Sequence, residues 1–425
     1  MSPMAALARI LGWGISLVTG GLAAILLLHG AVVVHRAPDE IDRRAHQAAF
    51  LELGLTRGSA DRMQRWFPEG GTFQVALTAL VTAADSTREP SERATDLDTA
   101  LRRLDNPDLA APFGRSDQVF LRGWRLQVLL ARAALETPPP TTGKTSTAVK
   151  GPPITSTPVV DRVRSEVEAL LARAEPSATG ALSSYPDQFW PVDSVVAIAA
   201  VMEADRRFGL PANREGALRT WWERLDALRD PATGLLAHRV DADGRILDGA
   251  RGSSSALMLA FLPDVDPGVA ARDWARFSRL FVDRQLGLCG VREFPTGQDR
   301  AGDIDSGPLV RGISLSASAV ALAGARRAGD LSLATVLDQQ AEVLGLPLDV
   351  AGTRRYALGL LPIGDAFLGW ARTQPVPASP GIPTHPDPSE RPEPAWWAWG
   401  LGLAGYVVAA TALAWRWRPL RPPRP

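Results

Sequence analysis

The sequence predicts an all-α fold: an (α/α)6 toroid of about twelve helices, flanked by two transmembrane helices. Three observations carry this expectation. Apolar residues recur at helical spacing through most of the chain, and strand-like alternation is scarce. Segments apolar on nearly every side, such as VDSVVAIAAVM and SSSALMLAFL, alternate with segments that keep a charged face, such as REGALRTWWERLDALRD and AARDWARFSRLFVDRQL. A helix apolar all round is buried and one with a polar face is peripheral, so the alternation reads as an inner and an outer layer. Finally, two long uncharged stretches bracket the rest of the chain. A less regular solenoid or bundle would share the first two features.

The first uncharged stretch runs from Ile10 to Val34, 25 residues. A spanning helix needs only about 20. Arg9 alone makes the preceding segment basic, and no small-x-small cleavage site follows, so residues 1–36 are expected to remain as a membrane anchor. The second stretch runs from about Ala395 to Trp415. Trp396, Trp397 and Trp399 stand at one end and Trp415 and Trp417 at the other, as the two aromatic belts of a span do. Arg416, Arg418, Arg421 and Arg424 follow without an acid, which places this tail in the cytoplasm. Two spans then put the N-terminus inside as well and the body outside the inner membrane. Arg36, Arg43 and Arg44 argue the other way, but long translocated domains tolerate such charges.

Between the spans, helices are expected over residues 39–65, 71–85, 91–104, 115–136, 159–174, 191–208, 213–229, 252–262, 268–285, 309–328, 331–345 and 356–372. Residues 137–158 are rich in Pro, Thr and Ser and read as an insert that packs against nothing. Residues 374–394 are Pro-rich and read as a semi-rigid spacer before the second span. The helical domain is therefore expected over 37–373, with 395–425 as the C-terminal span and tail.

Composition narrows the function classes. Net charge is zero and no long basic run lies in the body, which excludes a nucleic-acid partner. The single cysteine, Cys289, rules out an intrachain disulfide and a Cys-based zinc site. It reads as a small buried hydrophobe. The dinucleotide fingerprint, the phosphate-binding GxxxxGK loop and HExxH are all absent, so no cofactor or metal is expected. Lysine is confined to Lys144 and Lys150 amid much Arg, Ala and Gly, as in GC-rich bacterial coding. No protein partner is specified.

The loops that enter the apolar helices carry the unusual residues. Glu69 stands in RWFPEGG, and Tyr185, Asp187, Trp190 and Asp193 stand in SSYPDQFWPVD. His238 and Arg251 stand in HRVDADGRILDGARGSS, where DADG is expected to turn a hairpin and Ser253 and Ser254 to cap the next helix. The densest loop, GVREFPTGQDRAGDIDSGP, holds Glu293, Asp303 and Asp305 within thirteen residues. Phe294 and Pro295 beside Glu293 would raise its pKa on burial, making it the candidate protonated acid. Asp305, before Ser306 and Gly307, is the candidate ionised partner facing the cleft, with Asp193 and Asp187 next in line. Glu293 and Asp305 are expected outside the core. Asp193 and Asp187 equally fit a helix N-terminus and a turn. Tyr185, Trp190, Phe294, Arg251, His238 and Glu69 are the candidate binding residues.

FPEGG (67–71), SYPDQFWPVDSVVAIAAV (184–201), RGSSSALMLAFLP (251–263) and FPTGQDRAGDIDSGP (294–308) together resemble the six-hairpin (α/α)6 superfamily, over roughly 65–372. Within it the chain is similar to bacterial membrane-tethered proteins near the linalool dehydratase/isomerase-like group. That resemblance implies a toroid and carbohydrate chemistry by a pair of acids on the helix-entry loops. The dehydratase/isomerase pocket carries paired cysteines, and this chain has only Cys289. Three functions are therefore weighed: a carboxylate acid/base enzyme on an envelope glycan or other hydroxyl-rich substrate, a non-catalytic binding or assembly module, and a lipid- or terpenoid-modifying lyase or isomerase.

Overall fold

A computed structural model describes residues 40–115, 117–136, 157–209, 212–285, 288–304, 306–307 and 309–377, with Val18, Gly21 and Ala404 besides. The expected membrane spans, the insert over 137–156 and the spacer from Ala378 lie outside the described residues. Among the described residues, no helix is long and apolar enough to cross a membrane. The described chain is mainly helical, with fourteen α-helices. It divides into two compact units. The larger comprises Glu40–Asp338 and Leu348–Pro386 and carries the site residues described below. Of the smaller, little beyond 339–347, the end of one helix and the turn after it, is described.

The expected first helix, 39–65, is two. Helix α1 (Glu40–Thr56) ends where Gly58 adopts a left-handed φ of 73°, and α2 (Ser59–Trp66) restarts beyond it. Then come α3 (Gly70–Ala83), α4 (Pro90–Leu104), α5 (Pro107–Ala110) and α6 (Val119–Glu136). The expected helix from 115 starts four residues late, at Val119. Helix α7 (Pro158–Ala174) begins inside the expected insert, because Thr157 caps it by accepting from the Val160 N–H and Pro158 suits the first helical position. Helices α8 (Pro191–Phe208) and α9 (Ala212–Asp226) follow. The DADG turn does join a hairpin, β1 (Arg239–Val240) with β2 (Ile246–Asp248). Asp241 Oδ1 accepts from the Asp243 and Arg245 N–H groups there.

Helix α10 (Gly252–Val265) is followed by α11 (Pro267–Phe281), which Asp266 caps. Two expectations fail here. The helix expected over 268–285 ends at Phe281, and β3 (Val282–Gln285) continues it as a strand paired with β4 (Leu288–Arg292). The helix expected from 309 starts at Leu315. Residues before it form β5 (Leu309–Val310) and β6 (Ile313–Ser314), joined through Arg311 and Gly312 at φ of 52° and 85°. A left-handed pair cannot continue a helix. The four strands form one antiparallel sheet in the order β3-β4-β6-β5. Helix α12 (Leu315–Ala328), capped by Ser314, leads to α13 (Leu331–Leu344). The last helix, expected from 356, is α14 (Pro362–Thr373); the hairpin β7 (Leu348–Val350) and β8 (Thr353–Arg355) precedes it. Pro362 disfavours helical backbone at Leu361, so the helix starts at the proline.

Six apolar helices pack in sequence. Helix α3 lies on α6, α6 on α8, α8 on α10, α10 on α12, α12 on α14, and α14 returns to α3. The amphipathic helices cover them: α4 packs on α3 and α6, α7 on α6 and α8, α9 on α8, and α11 on α10 and α12. Aromatic rings join members that are not chain neighbours. Trp124 of α6 lies 5.8 Å from Phe261 of α10 and 6.2 Å from Trp370 of α14, and Phe261 stacks on Trp370 at 5.6 Å. Phe73 of α3 meets Trp124 edge-on at 5.3 Å. Aromatic rings of α3, α6, α10 and α14 thus pack together in the middle of the helix assembly.

Candidate functional site

The loops leading into α3, α8, α10 and α12 are tied to one another. Tyr185 Oη donates to Glu69, at the N-cap of α3. Phe189 pairs with Val240 of β1. The Gly252 N–H donates to the Glu293 carbonyl at 2.9 Å, and the Glu293 N–H donates to the Gly312 carbonyl at 3.0 Å. Strand β4 is therefore clamped between the N-terminus of α10 and the β5–β6 turn. The approach is close: a Cβ on Gly252 would sit 1.9 Å from the Arg292 carbonyl oxygen.

Arg251, the N-cap residue of α10, is the hub of a charged cluster. Its Nε donates to Asp248 at 2.8 Å, and Nη1 donates to Asp303. The same Nη1 lies 3.8 Å from Glu293 Oε1. Its guanidinium stands 5.4 Å from the Phe294 ring centre, and that of Arg300 stands 4.5 Å from the same ring. Arg300 also reaches Asp248 at 3.4 Å. Arg251, a candidate binding residue, is thus paired with the chain's own acids.

Glu293 is wholly buried, at 0% exposure, which corrects the expectation that it lies outside the core. Folding β4 under the first turn of α10 encloses it. Its Oε2 accepts from the Ser253 N–H at 3.1 Å and its Oε1 from the Ser253 hydroxyl at 2.9 Å. Burial pushes its pKa up to about 7, against the pull of the Ser253 donors and Arg251. Asp303 behaves oppositely. Burial opposes its ionisation, but the Arg251 hydrogen bond and the Ser306 N–H hold its pKa below the usual carboxylate range. Its side chain is 42% exposed. Two carboxyls on one guanidinium are thereby pushed apart in acidity.

His238 is buried, and its Nδ1 lies 3.1 Å from Ser254 Oγ. Burial, with Arg251 nearby, drops its pKa to about 4, so it is neutral at ordinary pH. Ser253, expected as a cap for its own helix, instead gives both donors to Glu293; Arg251 is the cap residue and makes no side-chain cap bond.

The remaining candidates are elsewhere in the loops. Tyr185 lies tilted against Phe113, at 4.8 Å, and edge-on to Trp190, at 5.4 Å, and holds Glu69. Asp187 is exposed and left-handed, with φ of 56°, in the two-residue turn between Tyr185 and Gln188. Asp193 lies nearly buried in the first turn of α8. Asp187 and Asp193 lie at the entry of α8, whereas Glu293 follows β4. Asp305 lies outside the described residues. Cys289 is buried in β4, and burial pushes its thiol up to about 11, far from nucleophilic.

Sequence reasoning missed Asp248 and Arg300 as partners of the cluster, and the role of Ser253. The Asp248–Arg251 spacing of three was a usable signal. No local signal tells a serine that caps its own helix from one that donates across to another strand. Among known proteins, no family model matches the chain and no curated protein matches it.

Proposed function

We propose that the body is an (α/α)6 toroid with a carboxylate acid/base site at its loop end, acting on a hydroxyl-rich substrate such as an envelope glycan. The closed succession of six inner helices, each on the next, supports the toroid. The observation that carries the chemistry is the pair of acids on Arg251: Glu293 with a pKa of about 7 and Asp303 held ionised. Acid–base catalysis needs one carboxyl that can give a proton near neutral pH and one that stays charged. When Glu293 gives up its proton, the Arg251 guanidinium 3.8 Å away offsets the buried negative charge. Tyr185 and Trp190, both partly exposed, are aromatic residues of the kind sugars stack on.

Full-length protein is assayed for turnover on a panel of envelope polysaccharides and lipid-linked glycans. Glu293→Gln and Asp303→Asn are each expected to lower turnover by about a hundredfold or more, the usual share of a positioned acid or base. Wild-type turnover by Glu293→Gln would sink the acid role. A non-catalytic binding module is the second reading, and the full burial of Glu293 favours it. Calorimetric binding of a panel member without any turnover would select it.

The uncharged stretches at 10–34 and 395–415 support tethering at both ends to the inner membrane, body outside. A reporter fused after Pro394 is expected to act as extracytoplasmic and one fused after Pro425 as cytoplasmic. An active cytoplasmic reporter at 394 contradicts that orientation.

A further inference from the structure

Glu293 is fully enclosed, so neither water nor substrate meets its carboxyl directly. Its close hydrogen-bond partner is Ser253, which is itself partly exposed. The Ser253 N–H occupies Oε2 and cannot accept a proton, so the hydrogen of the neutral acid belongs on Oε1. There it faces the Ser253 hydroxyl, 2.9 Å away. A hydroxyl donates to a carboxylate and, by turning its own hydrogen away, accepts from a carboxylic acid. It suits both protonation states of Glu293, as no amide or guanidinium does.

We propose that the Ser253 hydroxyl is a proton relay between the enclosed Glu293 carboxyl and an oxygen bound at the site. Glu293 passes the hydrogen on Oε1 to Ser253 Oγ while Ser253 passes its own hydrogen to a substrate oxygen or to water. The acid's O–H bond breaks, a new one forms on the acceptor, and the serine ends as it began. The return step takes a proton from water along the same path. The carboxylate left behind keeps the Ser253 N–H at 3.1 Å and lies 3.8 Å from the Arg251 guanidinium, which offsets its charge. Among the described residues, Asp303 and Asp248, on that guanidinium, and His238, on Ser254, are further titratable groups around it. The spacing is set by backbone: the bonds from Gly252 to Glu293 and from Glu293 to Gly312 fix β4 against α10.

The relay's purpose rests on the acid reading of Glu293, but its test needs no known substrate. Infrared spectra of the full-length chain, wild type minus Glu293→Gln, isolate the Glu293 carboxyl band. Transfer into heavy water then times its proton exchange, and a pH series gives its midpoint. Ser253→Ala is expected to slow exchange roughly a hundredfold. It should also raise the midpoint by about one pH unit, the size of one lost hydrogen bond to a charged group. Ser253→Thr keeps the hydroxyl and is expected to restore both. Ser253→Val, matched in shape to the threonine, repeats the loss should the alanine variant misfold. Exchange at wild-type speed in either hydroxyl-free variant overturns the relay, as does slow exchange in the threonine variant. The acid reading fails separately, on full turnover by Glu293→Gln.

Discussion

At the scale of single residues, Glu293 and Asp303 show how one guanidinium can hold two carboxyls in opposite states. The difference is access to water: Glu293 is wholly enclosed and Asp303 is partly exposed. A pKa raised on folding from an ordinary 4.5 to about 7 links stability to pH. The folded state favours the neutral acid, so this contribution is fully present below about pH 4.5 and is lost as pH rises through 7. Glu293→Gln never ionises and escapes that loss. Its melting temperature relative to wild type is therefore expected to rise by about 3 °C or more between pH 5 and pH 8. Asp365, raised by burial to about 7, and His238, lowered by burial to about 4, titrate in both proteins and cancel. A gap that does not change with pH would show that Glu293 titrates normally. The apolar neighbours Phe294 and Pro295 made the raised pKa readable from sequence. The enclosure by Ser253 did not show, because it depends on a residue 40 positions away.

At the scale of elements, helix interiors were legible, and so were many of their ends. The apolar run from Pro191 was read to its last residue because Pro191 starts it and Gly209, at φ of 69°, stops it. Errors fell where β-strands adjoin helices. Val282–Gln285 continues the helical pattern of α11 yet pairs with Leu288–Arg292, since the ladder to β4 satisfies its backbone. Arg311–Gly312 and the residues before Pro362 likewise break patterns whose apolar spacing reads on without interruption. The misjudged ends at 282–285 and 309–314 frame the site. The β3-β4-β6-β5 sheet carries Glu293 beneath α10, and the contact between Gly252 and the Arg292 carbonyl leaves no room for a side chain. Its four strands are each five residues or fewer, too short for periodicity to reveal.

At the scale of the larger unit, the last apolar helix is fastened to the first helix by buried charge. Arg372 of α14 donates to Asp338 at 2.7 Å, to Gln47 of α1 at 2.9 Å and to Tyr356 at 2.6 Å. Arg43 of α1 meets the same Asp338 at 2.9 Å. Burial opposes ionisation of Asp338, but Arg372 and Arg43 hold its pKa below the usual range. Arg372→Met keeps most of the volume and removes one donor from each of Asp338, Gln47 and Tyr356. It is expected to cost about 3 kcal/mol, as loss of one member of a buried ion pair does, and to lower the melting temperature by several degrees. An unchanged melting curve would mean that apolar packing alone holds α14 to α1. The sequence by itself determined the helical class and which helices are buried, because burial is written in the period and width of each apolar face. It also marked the loop from Gly290 to Pro308 as the one richest in acids. Only the tertiary structure decided which charges meet. Arg251 reaches Asp303 across 52 positions and Glu293 lies beneath Ser253 across 40, contacts set by strand pairing and backbone hydrogen bonds that leave no period in the chain.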